Sequence, residues 1–183
     1  MLTGVPLHWV FRPFAALGVD ALHALLQLRQ QVFTVEQQCA YLDVDGIDPS
    51  CWHLLGWASR GRLQACLRVV PPGLKFNEAS IGRVAVTRDM RGNGLGRELV
   101  AKGVARCSQL HPGQGIRIAS QAHLRRFYEG FGFSAEGDVY MEDGISHIDM
   151  VHGLRREERQ EWFDRASAHE GESLLVERLV GER

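Results

Sequence analysis

The chain has 183 residues, enough for one domain with a sizeable apolar core. Lys and Arg number 21 against 22 Asp and Glu, so the net charge of -1 lacks the basic excess of proteins that bind nucleic acid through its phosphates. No segment has the roughly 18 apolar residues needed to span a bilayer, and the first residues lack the pattern of a signal peptide. We therefore expect a globular, cytoplasmic protein with neither nucleic acid nor a membrane as its partner.

The cysteines and histidines show no pattern of disulfide or metal-ligand spacing. Cys39, Cys51, Cys66 and Cys107 stand apart in the sequence and form no C-x-x-C pair. We predict that they are reduced and mostly buried. The eight histidines are scattered, and no metal site is predicted.

Hydrophobic patterning predicts the elements of the N-terminal half. Alternation over residues 7–11 favours a strand, and Asp20 is a candidate N-cap for a helix that reaches Glu36. Residues 39–50 contain two turn-forming pairs and predict a loop. Three further strands are predicted, at residues 52–58, 63–70 and 80–87.

In the C-terminal half, a cluster of glycines opens a helix that ends at His111-Pro112-Gly113. The elements predicted after it are a strand at 116–119, a helix at 122–131 with Gly132 as its C-cap, and a final hairpin of 139–141 and 147–151.

The composition changes at Arg155, because fourteen of the last 29 residues are charged. We predict a domain over residues 1–154 and a charged, helical extension over residues 155–183 that packs on the domain or on a partner. A solvated tail is the alternative. The extension makes a homodimer plausible, but the oligomeric state is left open.

The glycine cluster, R-G-N-G-L-G at residues 91–96, follows a strand and opens a helix. Such a junction binds anions, because unpaired amides of the first turn point outward and the helix dipole favours negative charge. A Walker loop is excluded, since Arg97-Glu98 follows Gly96 where Lys and Ser or Thr are required. A dinucleotide fingerprint is disfavoured, because the spacing is G-x-G-x-G and no second β-α-β half is evident.

Residues 91–96 match the [QR]-x-x-G-x-[GA] signature of the GCN5-related N-acetyltransferases, and the resemblance covers about residues 7–154. The stretches V-A-V before the signature and R-R-F-Y-E-G-F-G-F after it occur in the family's order. Residues 32–48 and 52–57 further resemble the ElaA-like branch. The resemblance implies an α/β fold in which helices flank a mixed, mostly antiparallel sheet of six or seven strands, split in a V for the cofactor.

The cofactor implied by the resemblance is acetyl-CoA. In such enzymes the strand before the glycines pairs with the pantetheine arm, one of its amides can polarise the thioester carbonyl, and the glycine amides with nearby arginines bind the diphosphate. The expected cofactor-binding residues are Val84, Ala85, Val86, Arg91, Gly92, Asn93, Gly94, Leu95, Gly96, Arg97, Gln121, Phe127 and Tyr128. For Gln121, a merely polar strand terminus is an equal alternative, and for Arg88 a phosphate contact and a solvated turn are weighed alike.

Acetyl transfer to an amine requires an acid for the departing thiolate and a route for the amine's proton. Tyr128 matches the family's tyrosine and is the expected acid, because a phenol is protonated at neutral pH. Glu36, which matches an acid of the ElaA-like pattern, and His53, on a strand expected to face the cleft, are the candidate bases. A water chain without a single base is the alternative.

The expected acceptor is a primary amine of a small molecule or peptide. Glu36, Asp43 and Asp45 could attract a cationic amine, together with Asp48 of the same acidic loop, although turn-forming aspartates are an equal explanation. Arg83 could bind a substrate carboxylate. The sequence therefore predicts an acetyl-CoA-dependent N-acetyltransferase. A non-catalytic acyl-CoA sensor is the first alternative, and a nucleotide-dependent transferase is the second.

Overall fold

A seven-stranded sheet forms the centre of the protein. The computed structural model describes residues 7–39, 41–59 and 61–153, so the predicted extension at 155–183 lies outside the described residues. The strands are β1 (His8–Pro13), β2 (Trp52–Trp57), β3 (Leu63–Val70), β4 (Ala79–Val86), β5 (Ile116–Gln121), β6 (Ser134–Glu142) and β7 (Ile145–His152). Their order is β1-β2-β3-β4-β5-β7-β6, and every neighbouring pair is antiparallel except β4 and β5. The predicted mixed, mostly antiparallel sheet is confirmed.

The α-helices of the described chain are α1 (Val19–Arg29), α2 (Leu95–Leu110) and α3 (Arg125–Glu129). The predicted N-cap of α1 is wrong, because Gly18 occupies that position and Asp20 lies inside the first turn. Its carboxylate still favours the positive end of the helix dipole there. None of the helices that the structure describes is long and apolar enough to cross a membrane.

The helical segment continues past α1, but its hydrogen bonding changes. Residues Gln30–Glu36 form a π-helix, and the amide of Gln37 donates to the carbonyl of Val32 five residues earlier. The sequence predicted one helix to Glu36 and gave no sign of this change. A π-helix has a wider turn than an α-helix, because its hydrogen bonds join residues five apart instead of four. The side chains of this segment, including that of Glu36, therefore point in other directions than in a continued α-helix.

Each face of the sheet carries an apolar layer. On one face, Leu99 and Val100 of α2 pack among the side chains of the inner strands. Gly103 lets this helix approach closely, because a Cβ at that position would collide with Leu67. On the other face, Leu25 and Leu28 of α1 pack over the same strands. All four cysteines are free and buried, as predicted.

The sheet is split between β4 and β5. These parallel strands pair only at Ala79 with Ile116 and at Ser80 with Arg117, although β4 runs on to Val86 and β5 to Gln121. Beyond the paired positions, the facing backbone groups of the two strands are not bonded to each other. The V-shaped opening expected from the resemblance is therefore present, and we call it the split.

A β-bulge in β4 lies beside the split. Between the pairs Cys66–Ala85 and Arg68–Gly82, β4 contains one residue more than β3. Arg83, inside this interval, has a φ of 49°, in the left-handed region that costs energy for a residue with a side chain. The bulge thus changes the direction of the β4 side chains at the place where β4 separates from β5.

Candidate active site

The split contains a cavity of about 360 Å³. Its two walls are residues 81–84 of β4 and residues 118–121 of β5, and Tyr128 of α3 lines it as well. Parts of the loops after the π-helix, after β3 and between β6 and β7 complete the lining. The lining has roughly as many polar as apolar side chains, and a concave site with convergent polar groups is a common form of small-molecule site.

Tyr128 brings a protonated phenol to this cavity. The residue is only 8% exposed, and its ring packs edge-on against Phe127 and Phe133 at centroid distances of 5.1 and 5.7 Å. Burial raises the pKa of the Tyr128 phenol to about 12. The hydroxyl therefore keeps its proton at neutral pH and can donate it to a group that gains negative charge.

The glycine loop (residues 91–96) has the backbone geometry of an anion site. Gly92 and Gly94 have φ values of 82° and 81°, and α2 begins directly after Gly94. The amides of Arg97 and Glu98 donate to the carbonyl of Gly94. In the described part of the chain, the amides of residues 92–96 donate to no backbone carbonyl, so they are free for a ligand.

Space is also open around this loop. A Cβ built on Gly92, Gly94 or Gly96 would meet no atom within 4 Å, so packing does not explain the glycines at these positions. Open backbone with unpaired amides at a helix N-terminus suits a phosphate group.

Arg91 lies beside the glycine loop and is held by two contacts. Its Nε donates to the carbonyl of Val86 at 3.0 Å, and its terminal nitrogen donates to the carboxylate of Glu36 at 2.7 Å. Glu36 lines a separate groove with Thr87 and Arg88, not the cavity that contains Tyr128. The structure therefore separates Glu36, a predicted base, from the predicted acid.

Arg97, the other arginine expected at the diphosphate, is placed differently. It is exposed, and its guanidinium lies over the ring of Phe131 at 5.0 Å, next to Gly130 at the end of α3. This contact holds the side chain between α2 and α3, and Arg97 forms no ion pair with any of the residues that the structure describes.

His53, the second predicted base, does not face the cleft, and that prediction is wrong. The residue is 0% exposed, and its Nε2 lies 3.5 Å from the carbonyl of Asp48. Phe14 packs against its ring. Burial lowers the pKa of the His53 imidazole, so the neutral form is favoured in the interior. His53 lies on β2, an inner strand of the sheet, and the loop that contains Asp48 covers its side chain.

The acidic loop is neutralised by three arginines in a closed ion-pair ring. Each of the six contacts of the ring is between 2.7 and 3.0 Å long. The order around the ring is Arg29, Asp43, Arg83, Asp45, Arg68, Asp48 and back to Arg29. The arginines compensate the negative charge through which the loop was expected to attract an amine, and the ring holds the loop against β3 and β4.

The remaining predicted residues divide between the cavity and the core. Val84, Arg83, Asp45 and Gln121 line the cavity, and the amide of Gln121 lies 3.4 Å from that of Gln37. Three do not line it: Ala85, Val86 and Asp43 are buried elsewhere. Phe127 is a partly buried member of the apolar core.

Several polar cavity residues were not singled out from the sequence. They are Tyr41, Lys75, Glu142, Asp143 and His147. They come from separate loops and from the β6–β7 hairpin, so only the folded chain brings them together. Within the described residues, no group of three His, Cys, Asp or Glu side chains could hold a metal ion.

Comparison with known proteins gives a consistent family. Residues 73–154 match the family model described as an acetyltransferase (GNAT) domain. The chain is 40% identical over 147 residues to the protein ElaA of Escherichia coli, which covers 79% of this chain and 95% of that protein. It is 41% identical over 145 residues to a UPF0039 protein of Synechocystis, over 79% of this chain and 94% of the relative.

A solved structure, an acyl-CoA N-acyltransferase from Pseudomonas aeruginosa, is 39% identical to this chain with a TM-score of 0.77. The match covers 80% of this chain and 99% of that one. The glycine loop, the split and these relatives agree, and the chain belongs to the GNAT family of acetyltransferases, in the branch that includes ElaA.

Proposed function

We propose that this protein is an N-acetyltransferase that moves the acetyl group of acetyl-CoA to a primary amine of a small molecule or peptide, by direct attack in a ternary complex. Its family supports an acyltransferase that uses an acyl-CoA. The proposed transfer of an acetyl group to an amine rests on the cavity in the split, which is lined by Tyr128 with its protonated phenol.

The residues present fit the cofactor. The free amides of residues 92–96 suit the diphosphate, and Arg91, which directly precedes them in the chain, supplies a guanidinium suited to phosphate oxygens. The pantetheine arm would lie along β4, whose backbone is unpaired with β5 beyond Ser80. Chain atoms of an extended ligand can pair with such a free strand edge as another strand would.

Acetyl-CoA supplies an acetyl group already activated as a thioester. Tyr128 holds its proton for the sulfur that leaves, and Val84 and Ile118 contribute apolar surface to the two walls. An amide of the bulged part of β4 is suited to polarise the thioester carbonyl, because a fixed backbone donor needs no reorganisation during the reaction.

The test is the release of free thiol from acetyl-CoA over a panel of amines, together with Tyr128→Phe. We expect turnover that depends on an amine. For the variant we expect kcat to fall by about 10²–10⁴-fold, the range for loss of a general acid, with unchanged affinity for CoA. Ser134→Ala removes an exposed hydroxyl from β6 outside the cavity and should leave kcat unchanged.

The opposite result would favour the acyl-CoA sensor. In that case the protein binds CoA, no amine of the panel gives turnover, and Tyr128→Phe has no effect. Identification of the acetylated product by mass spectrometry separates amine acetylation from simple hydrolysis of the thioester.

A further inference from the structure

His147 lies in the wall of the cavity that contains Tyr128. It is on β7, opposite Gln121 of β5, at the end of the sheet where β5 has left β4. Its side chain is 15% exposed. Among the described residues it is the one histidine that lines this cavity.

The hydrogen bonding of His147 fixes which ring nitrogen is available. Nδ1 lies 2.9 Å from the carbonyl oxygen of Ile145, and because a carbonyl can only accept, Nδ1 carries the proton of the neutral ring. Nε2 then has a free lone pair and is the proton acceptor. The carboxylate of Glu142 lies 4.0 Å from Nδ1 and would stabilise the ring once it becomes charged.

The other charged and titratable groups around His147 do not prevent Nε2 from accepting a proton. Tyr140 of β6 stacks on the imidazole at a centroid distance of 6.1 Å. The remaining charged and titratable groups of the cavity are Cys39, Tyr41, Asp45, Lys75, Arg83, Asp143 and the acid Tyr128. Asp45 and Arg83 are both bound in the ion-pair ring, so their charges largely cancel.

The alternatives for a base are less well placed. Glu36 is bonded to Arg91 in a separate groove, and His53 is buried outside the cavity. Asp45 lies in the cavity but is held by two arginines, so it would give up its ion pairs to accept a proton. Among these residues, His147 alone combines a place in the cavity with a ring nitrogen that no hydrogen bond occupies within the described part of the chain.

We propose that Nε2 of His147 accepts the proton that the acceptor amine loses. This rests on the acetyltransferase function proposed above. The nitrogen forms a bond to the acetyl carbon as the carbon–sulfur bond breaks. The amine proton passes to Nε2, and the sulfur takes the proton of Tyr128. His147 then returns its proton to water and Tyr128 regains one, so that the net products are the amide and the free thiol.

The test compares His147→Asn and His147→Gln with the wild-type protein. The Asn side-chain amide can keep the bond to the Ile145 carbonyl but has no counterpart of Nε2, whereas Gln places an amide near the Nε2 position. We expect kcat/KM to fall by about 10²-fold or more in both, with unchanged Kd for CoA. His8→Gln changes an exposed histidine on the far edge strand and should behave as wild type.

The dependence of kcat/KM on pH separates a proton acceptor from a structural residue. The wild type should lose activity at low pH as His147 becomes protonated, and this limb should coincide with the titration of the His147 ring followed by NMR. In the His147 variants, the loss of activity that His147 causes at low pH should vanish. The pH dependence that comes from ionisation of the acceptor amine should remain.

Two results would overturn the inference without touching the proposed function. One is a folded variant that keeps more than about a third of wild-type kcat/KM with the same pH profile. The other, which requires no variant, is a wild-type acid limb that does not coincide with the titration of His147. A wild type without amine-dependent turnover would overturn the proposed function and this inference with it.

Discussion

The guanidinium of Arg91 and the carboxylate of Glu36 are 2.7 Å apart, although 55 positions separate them in the sequence. The contact joins the end of the π-helix to the start of the glycine loop. Together with the bond from Arg91 to the carbonyl of Val86, it fixes the guanidinium of the first residue of the glycine loop. The sequence assigned Arg91 to the diphosphate and Glu36 to proton transfer, but in the structure the two side chains form one ion pair at the proposed diphosphate site.

Replacing Arg91 should weaken cofactor binding. Arg91→Ala removes a charge-assisted partner worth about 1.5–3 kcal/mol, so the Kd for acetyl-CoA should rise by about tenfold or more. Titration calorimetry measures this. Arg106→Ala, on an exposed part of α2 where the side chain lies over Phe11, is the matched control and should bind normally. Equal affinities for the wild type and Arg91→Ala would remove Arg91 from the diphosphate site.

Removing the charge of Glu36 should have little effect on the chemical step. Glu36→Gln leaves the cavity of Tyr128 intact, because Glu36 lies in another groove. We expect kcat at saturating acetyl-CoA to change by less than about threefold. A fall of about 10²-fold, the size expected for a general base, would restore Glu36 to that role instead.

The glycine loop can be tested with two alanine variants of equal backbone cost. Gly94 and Gly113 have φ values of 81° and 77°, and neither is crowded by other atoms. Each change to Ala should therefore lower the free energy of unfolding by about 1–2 kcal/mol. Only Gly94→Ala should also raise the Kd for CoA, because its Cβ would stand among the amides at the start of α2 that we assign to the diphosphate. If both variants bind CoA equally, the loop is not the anion site.

The ion-pair ring predicts a dependence of stability on acid. Burial acts to raise the pKa of Asp45, but the hydrogen bonds and charges of Arg68 and Arg83 outweigh it and lower the pKa from 3.8 to about 2. Asp45 therefore contributes stability that is complete above pH 4 and is lost as the pH falls towards 2.

Asp45→Asn should reduce the free energy of unfolding at pH 7, and its difference from the wild type should shrink below pH 4. Urea unfolding at several pH values measures both. Asp138→Asn, an exposed site on β6, should show no such difference. A deficit of Asp45→Asn that stays constant down to pH 2 would contradict the role of the ring.

Local patterns predicted the strands and the glycine loop, because these depend on alternation, glycine positions and short spacings. Tyr128 was singled out by the family resemblance, and the structure places it in the cavity of the split. The bulge at Arg83 was not predicted, because β4 supplies apolar residues to both faces of the sheet and so has no clear alternation for an extra residue to interrupt. The ring around Asp43 and Asp45 was missed because its arginines come from α1, β3 and β4. His53 was misplaced for the same reason, since strand position alone does not show what covers each face.

The central claim is tested most directly by a crystal structure of the protein with bound CoA, from which one distance is measured. The account predicts that the sulfur lies within hydrogen-bonding distance of the Tyr128 hydroxyl while the diphosphate contacts the amides of residues 92–96. A CoA whose sulfur lies outside the split, or whose diphosphate binds away from the glycine loop, would contradict it.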